Sequence, residues 1–229
     1  MDMMRERFFE LFDPSTFKDI YIDVVGAGSV GSAVALHLGK MGAPNIRVID
    51  HDIVSDVNIG VSLPYGPSDI GKPKVDVLAQ RIKDLCAIDV KTFNGHYKDV
   101  PRPLGNIVIG TVDSVASRQE IYNGVVMDNN VKYLIDTAMG ALQIDIKFMP
   151  KYKSKAFLGY GQKILSMNET DIPELRCTVK STIHGTSVIA AIVCNYMMLI
   201  QKDEDHTLPY EEYSIRLAPL DIITKTIRE

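Results

Sequence analysis

Three glycines near the amino terminus have the spacing of a nucleotide-binding turn. Gly26, Gly28 and Gly31 lie in VVGAGSVGS, a G-x-G-x-x-G pattern between an apolar run and a helical pattern. Glycines at these places permit a tight bend and a close approach of the backbone to phosphate, and the start of the following helix favours an anion. The pattern therefore predicts nucleotide binding, but NAD, FAD and ATP can all bind over such a turn.

Four charged residues further along the chain narrow the choice of nucleotide. Asp50 ends the second apolar run, where it can accept hydrogen bonds from ribose hydroxyls or simply cap a strand. Asp52 adds a second carboxylate, Lys74 opens a helical pattern after a long loop, and Asp113 follows a strongly apolar run. Mg²⁺ prefers carboxylates together with phosphate oxygens, and lysine neutralises phosphate charge. These residues favour ATP with Mg²⁺ and fit an NAD-dependent dehydrogenase poorly.

The segments that must position these residues alternate between strand and helix patterns. The interval 53–73 is rich in glycine and proline and predicts a long functional loop. The remaining pattern predicts a doubly wound, Rossmann-like α/β sheet that is mostly parallel. Strands are predicted in DIYIDVVGAG, NIRVIDHD, DVKTFNGHY, NIVIGTV and KYLIDTAMG, and helices over 32–41, over 73–85 and in SVASRQEIYNGVVMDNN.

The second half of the chain has a less regular pattern. LQIDIKFMP alternates and predicts an antiparallel strand, residues 150–180 read as polar and irregular, and an apolar helix over 183–201 is followed by a charged tail. We expect one domain over 1–229. Its parts are an N-terminal helical arm (1–19, with a short helix over 4–12), a Rossmann-like core (20–140), and an extension (141–229) with antiparallel strand, crossover loop and late helix.

Composition excludes several classes of function. The chain has 229 residues and a net charge of −4, which argues against general nucleic-acid binding. Its longest apolar run, SVIAAIVCNYMMLI, is short for a membrane span and predicts a buried helix, so we expect no membrane association and a cytoplasmic protein. Cys86, Cys177 and Cys194 form no C-x-x-C pair, which excludes a thiolate zinc site of the usual kind.

Four motifs together resemble the ThiF/MoeB/HesA family, whose fold is shared with ubiquitin-activating enzymes. They are VVGAGSVGS, RVIDHDIVSDVN, SDIGKPKV and TVDSVASR, which occur in the family's order between about residues 20 and 125. A weaker resemblance continues to about residue 200. The resemblance implies a zinc-less member that uses ATP and Mg²⁺ to adenylate the C-terminal glycine of a small ubiquitin-like or sulfur-carrier protein with a Gly-Gly tail.

The resemblance also implies roles for individual residues. Asp50, with Asp52 beside it, would hold the ATP ribose, and Asn58 would line the nucleotide site. Lys74 would contact the phosphates, and Asp113 would bind Mg²⁺. The family dimerises across the sheet region, and the late helix carries more apolar surface than one sheet face needs, so we expect a homodimer.

Two further functions implied by the resemblance fall near the ends of the matched region. An arginine near the amino terminus, Arg5 or Arg7, would reach into the partner subunit's site, although either could simply lie on a solvated helix face. Cys177, in a polar segment before the last helix, would link covalently to the carrier protein, although it could be an inert loop cysteine. Arg176 and Lys180 flank this cysteine and favour its thiolate.

The sequence departs from the family at one place. The family has an arginine three residues after the asparagine that corresponds to Asn58, and usually a glutamine next to it. This chain has Val61 and Ser62 at those places. The change removes a fixed positive charge from the expected phosphate site. It leaves open a catalytically weak scaffold that binds nucleotide or a protein partner, and an NAD(P)-dependent oxidoreductase remains a third alternative.

Overall fold

The computed structural model describes residues 11–140, 142–168 and 182–227, and within them the strands form one eight-stranded sheet. The sheet order is β3-β2-β1-β4-β5-β6-β7-β8. Strands β1 to β5 are parallel to one another, and β6, β7 and β8 each run antiparallel to the preceding neighbour. The strands are β1 (Ile22–Val25), β2 (Ile46–Asp50), β3 (Lys91–Asn94), β4 (Ile107–Gly110), β5 (Tyr133–Gly140), β6 (Gln143–Pro150), β7 (Tyr210–Leu217) and β8 (Leu220–Ile227).

Helices cover both faces of this sheet, which confirms the predicted doubly wound fold class. Helices α1, α3 and α6 contribute to one apolar core, and α4 and α5 contribute to the core on the other face. The strand order reverses between β1 and β4, and ligands of such sheets bind at the carboxyl ends of the strands beside that reversal. The helices are α1 (Ser29–Met41), α2 (Asp56–Ile59), α3 (Lys74–Cys86), α4 (Val115–Met127), α5 (Ser154–Ser166) and α6 (Ile183–Ile200).

Burial explains why β1 and β4 lie at the centre of the sheet. Every residue of both strands is buried, and both are runs of apolar or small side chains apart from Asp23. Parallel strands covered on both faces need such continuous apolar sequence. The Asp23 carboxylate is compensated by two bonds from Arg47 on β2, at 2.8 and 2.6 Å. This pair lies along the strand, away from the carboxyl edge.

Helix α6 is the one described helix that is long and apolar enough to cross a membrane by length and composition. It packs on α1 and on strands β5 and β6, and its buried side chains include Ile189, Val193 and Tyr196. These contacts confirm the predicted buried helix. The expectation of a cytoplasmic protein stays a prediction.

Two predictions for the second half are wrong. The segment predicted to be irregular over 150–180 contains α5, which buries Phe157, Tyr160, Gly161 and Ile164 at helical spacing. The predicted charged tail contains β7 and β8, which pair over eight residues each as a hairpin. Charged side chains can occupy these strands because most positions of β8 are exposed.

The subdivision of the chain into arm, core and extension stays a prediction. The predicted helix over 4–12 lies outside the described residues except for its last two positions. The interval 53–73, predicted to be a loop, contains the single-turn helix α2 and a 3-10 turn, Pro67–Asp69, and is otherwise irregular.

Candidate functional site

The glycine turn joins β1 to α1 at the carboxyl edge of the sheet. Gly26 has φ of +100°, a left-handed conformation that side chains rarely adopt. A Cβ on Gly31 would overlap the carbonyl oxygen of Gly26 and lie 2.5 Å from Thr111 Oγ1. Thr111 in turn donates from Oγ1 to the carbonyls of Val25 and Gly26, at 2.8 and 3.1 Å. Gly26 and Gly31 are therefore required by the packing of the turn itself.

Gly28 is different from the other two glycines. It immediately precedes α1, its φ is −71°, and a Cβ built on it meets nothing within 4 Å. No intrachain contact among the described residues requires glycine at this position. The open space lies beside the first turn of α1, where backbone dipoles favour negative charge. The turn therefore leaves open space in which a phosphate group could approach the backbone.

Substitutions at Gly31 and Gly28 should distinguish a glycine required by packing of the turn from one that leaves space for a ligand. Gly31→Ala should lower the free energy of unfolding by about 3 kcal/mol, because the added methyl group forces the turn and Thr111 apart. Gly28→Ala, the matched control, should cost at most about 1 kcal/mol. Urea denaturation of both variants checks this, and equal losses of stability would contradict it.

Asp50 is bonded to the turn in the structure. Its Oδ2 accepts from the Ala27 backbone N–H at 2.5 Å, and its Oδ1 accepts from the Asp52 N–H at 2.7 Å. The carboxylate thus holds the second strand against the glycine turn, as the strand-cap alternative required. Each oxygen accepts one of these bonds and retains a further lone pair, so a role toward ribose hydroxyls is compatible with this geometry.

Lys74 lies at the start of α3 and is bonded to Asp52. The distance from Lys74 Nζ to Asp52 Oδ2 is 2.7 Å, and the lysine side chain is 9% exposed while the aspartate side chain is 53% exposed. Burial acts to raise the pKa of Asp52, but the hydrogen bond and charge of Lys74 outweigh it and hold that pKa below its usual range. A nearly buried ammonium therefore forms an ion pair with an exposed carboxylate just beyond the end of β2.

Tyr65 connects Lys74 to the glycine turn. Its buried hydroxyl donates to the Ala27 carbonyl at 2.6 Å and lies 3.4 Å from the Lys74 carbonyl. Burial is the main cause that raises the pKa of this phenol, so it remains a neutral donor. The loop over 53–73 is thereby attached to the same edge of the sheet as the turn.

The same loop is held by a buried carboxylate and positions Asn58. Asp69 accepts from Arg81 Nη2 at 3.1 Å and from the Gly66 N–H at 3.0 Å. Asn58 Oδ1 accepts from the Ser55 N–H at 2.9 Å in a capping box at the start of α2. Asn58 thus has a local structural role, and its predicted contact with nucleotide stays a prediction.

Asp113 lies three residues beyond the last residue of β4 and is exposed. The backbone just before Asp113 is bonded to Arg118, a residue that the sequence analysis did not single out. Arg118 on α4 is buried, forms an ion pair with buried Asp136 on β5, and donates to the carbonyls of Val112 and Thr137 at 2.6 and 2.8 Å. Arg118 was visible in TVDSVASR, but the sequence did not show that its partner would be Asp136.

Two histidines meet beside this site, which the sequence did not predict. The rings of His51 and His96 stack with centroids 4.1 Å apart, because β2 and β3 are paired and end side by side. His51 also lies with Asp50 and Asp52 in a group whose possible metal-ligating atoms are all within 4.8 Å of one another. Carboxylate oxygens here and at Asp113 are ligand types that suit Mg²⁺.

The structure leaves the predicted roles of several residues untested. Arg5, Arg7 and Cys177 lie outside the described residues. Val61 is half-buried and Ser62 is buried, and Ser62 Oγ has no hydrogen-bond partner among the residues that the structure describes. Cys194 on α6 is partly buried against the core, and this burial raises the pKa of its thiol to about 12, which fits the predicted core role.

Comparison with known proteins decides the family. Residues 7–228 match the model of the ThiF family. The chain belongs to the ThiF family. A tRNA threonylcarbamoyladenosine dehydratase of Bacillus subtilis is 37% identical over 70 residues, which are 31% of this chain and 28% of that protein. The sulfur carrier protein ThiS adenylyltransferase of Escherichia coli is 27% identical over 128 residues, 53% of this chain and 50% of that protein.

Solved structures confirm the ThiF fold over nearly the whole chain. Escherichia coli MccB with ATP has a TM-score of 0.68 at 17% identity, over 94% of this chain and 66% of that one. The matches with the two curated relatives thus span at most half of those relatives' lengths. The recognised motifs and the mostly parallel sheet with an antiparallel end are those of the ThiF family.

Proposed function

We propose that this ThiF-family chain is an ATP-dependent adenylyltransferase. Its substrate would be the C-terminal glycine carboxylate of a small ubiquitin-like or sulfur-carrier protein with a Gly-Gly tail. The observation that carries the proposal is the buried Lys74 ammonium, 2.7 Å from Asp52 Oδ2 and joined through Tyr65 to a glycine turn with open space at Gly28. An NAD-binding turn has no need of such a lysine.

The proposed reaction requires little of the protein beyond positioning and charge. A carboxylate oxygen of the carrier attacks the α-phosphorus of ATP, and pyrophosphate leaves. The start of α1 and Lys74 would hold the phosphates, Asp50 would orient the ribose, and Asp113 would hold Mg²⁺, which neutralises charge on the phosphate oxygens. Arg7 of a second copy would add a positive charge. The Cys177 thiolate would attack the carbonyl carbon of the acyl-adenylate, so that a thioester to the carrier forms and AMP leaves.

Pyrophosphate exchange tests the proposed reaction directly. Purified protein is incubated with ATP, Mg²⁺, labelled pyrophosphate and a panel of small Gly-Gly carriers, each paired with a variant lacking its last two glycines. Label should enter ATP with at least one intact carrier and with none of the truncated ones. Absence of exchange across the panel, in protein that binds ATP, would favour the scaffold function described below.

ATP with Mg²⁺ is expected to stabilise the protein more than NAD does. Binding to the native state alone adds about 2.7 kcal/mol at a ligand concentration 100 times Kd. Lys74→Ala should remove most of the ATP-dependent shift, and Gly28→Ala should reduce it because the methyl group fills the open space of the turn. Differential scanning fluorimetry with both ligands measures the shifts. An unchanged ATP shift in Lys74→Ala would contradict the phosphate role.

We expect a homodimer that covers the outer face of α6. Ile183 and Leu199 are 46% and 37% exposed on this helix, and other apolar side chains of α6 are only partly buried. Such a face is costly to leave in water. Light scattering at micromolar concentration should give twice the mass of one chain. A monomer under these conditions would contradict the expectation and the delivery of Arg7 between subunits.

A second candidate function is supported by one feature of the loop. Val61 places an apolar side chain where the family resemblance implies an arginine. The adjacent Ser62 hydroxyl is buried, with no hydrogen-bond partner in the described part of the chain. A chain that lacks this charge could bind nucleotide and a protein partner without turnover. ATP binding without exchange would support this function over the first.

A further inference from the structure

A pocket of about 460 Å³ lies between α5 and the antiparallel end of the sheet. Four lysines line it: Lys147 on β6, Lys225 on β8, and Lys155 and Lys163 on α5. We call this site the lysine pocket. Among the described residues that line it, Glu212 is the one carboxylate, so lysines outnumber carboxylates here on a chain whose net charge is −4.

The strand register places three charged residues of the lysine pocket in one row across β6, β7 and β8. Lys147 pairs with Glu212, and Glu212 pairs with Lys225, across three neighbouring strands. Glu212 Oε1 accepts a hydrogen bond from the Tyr210 hydroxyl at 2.5 Å. Within the described part of the chain, no carboxylate oxygen lies within 4.0 Å of the ammonium of Lys147, Lys163 or Lys225. The row therefore keeps a positive charge that its own carboxylate does not neutralise.

Helix α5 contributes a wall with room for a ligand. Ala156, Gly159, Tyr160 and Lys163 recur at helical spacing along the side that lines the pocket. A Cβ on Gly159 would meet nothing within 4 Å. Tyr160 and Tyr210 are buried and form an aromatic floor, and burial is the main cause that raises the pKa of both phenols. The site is thus a concave volume with an apolar floor and a cationic rim.

The lysine pocket is separate from the glycine turn. The turn leads into α1, on the sheet face covered by α1, α3 and α6, whereas the pocket lies on the face of α5. Strand β6 is two positions from β4 in the sheet, which is a lateral separation of about 10 Å. A ligand in this pocket would not occupy the nucleotide site described above.

We propose that the lysine pocket binds a small, multiply charged phosphate compound of the oligophosphate class. Lysine ammonium groups bind phosphate as point charges, and placing them on two facing walls suits a ligand with several anionic oxygens. The volume is within the usual range for small-molecule sites and suits a compact anion better than an extended polymer. This site is independent of the proposed adenylation and of its success or failure.

Calorimetric titration with inorganic tripolyphosphate tests the proposal. The full chain should bind it with an affinity that falls as salt increases, because the rim charges are exposed. The double variant Lys147→Gln/Lys225→Gln should bind at least about tenfold more weakly, since it removes two of the four lysine charges that line the pocket. The control double variant Lys98→Gln/Lys202→Gln removes the same charge from exposed positions elsewhere and should bind as the unmodified chain does.

A third variant separates this site from the nucleotide site. Lys74→Gln should leave tripolyphosphate binding to the lysine pocket intact, and loss of all binding in that variant alone would overturn the proposal. Equal weakening in both double variants would also overturn it, since it would indicate general charge attraction. Tighter binding of a poly-glutamate peptide than of tripolyphosphate would replace the phosphate ligand with an acidic protein segment. If the double variant Lys147→Gln/Lys225→Gln has a lowered melting temperature, the tripolyphosphate affinity of the single variant Lys163→Gln is compared with that of the unmodified chain instead.

Discussion

Asp113→Asn is expected to lower pyrophosphate exchange by about 100-fold or more, since one charge in such a site contributes a few kcal/mol to the transition state. The substitution removes the carboxylate proposed to hold Mg²⁺ and retains its shape. Asp113 is exposed, so the fold should not depend on it. Initial exchange rates at saturating carrier, with thermal melting of both proteins, measure the effect apart from stability.

A matched aspartate provides the control for this experiment. Asp205 is also exposed, in the segment between α6 and β7, and Asp205→Asn should exchange at the unmodified rate. Exchange that survives Asp113→Asn would show that the Mg²⁺ role belongs elsewhere, with the group at Asp50 and Asp52 as the next candidate. Val61→Arg is the converse test, because it restores a charge implied by the family resemblance and should leave exchange equal or higher.

Arg118→Met is expected to lower the free energy of unfolding by about 3–5 kcal/mol, because it leaves a buried carboxylate without its charge partner. The Arg118 and Asp136 side chains are 9% and 8% exposed, and the guanidinium also donates to the Val112 and Thr137 carbonyls. The melting temperature should fall by about 10 °C for a chain of this size. Urea denaturation and calorimetry measure the two quantities.

The double variant identifies the cause of that loss. Replacing both partners, Arg118→Met with Asp136→Leu, should recover part of the stability, since no buried charge is then unpaired. Arg216→Met on β7 removes an exposed arginine and should change stability by less than about 1 kcal/mol. A double variant no more stable than Arg118→Met would indicate that the carbonyl bonds, rather than the charge pair, carry the effect.

The parallel half of the fold could be predicted because its sequence signals are local. β1 and β4 are continuous apolar runs, Gly42 ends α1 with φ of 94°, and Asp50 ends β2 beside the turn. Each of these features needs only a few neighbouring residues to be recognised. The family resemblance then related the glycine turn, Lys74 and Asp113 to one edge of the sheet, where the structure places the elements that carry them.

The features that the sequence did not predict depend on contacts between residues that are distant in sequence. Gly159 and Gly161 weaken the helical pattern of α5, yet this helix forms because its apolar side packs on the sheet. The β7–β8 hairpin has charged residues that read as a tail until β6 supplies a neighbouring strand. The stacking of His51 on His96 likewise depends on which strands are neighbours, and neither residue alone predicts it.

The bonds from Thr111 to the glycine turn constrain how the chain folds during synthesis. The turn and the threonine that fixes it are 85 residues apart, so a nascent chain contains the complete glycine motif long before its anchor is made. Strand β1 also lacks its β4 neighbour during that interval. Ribosome-bound intermediates that end before Thr111 therefore display an apolar strand with one open edge, a surface suited to chaperones. The glycine turn therefore gains its bonds from Thr111 only after the chain has been synthesised through β4.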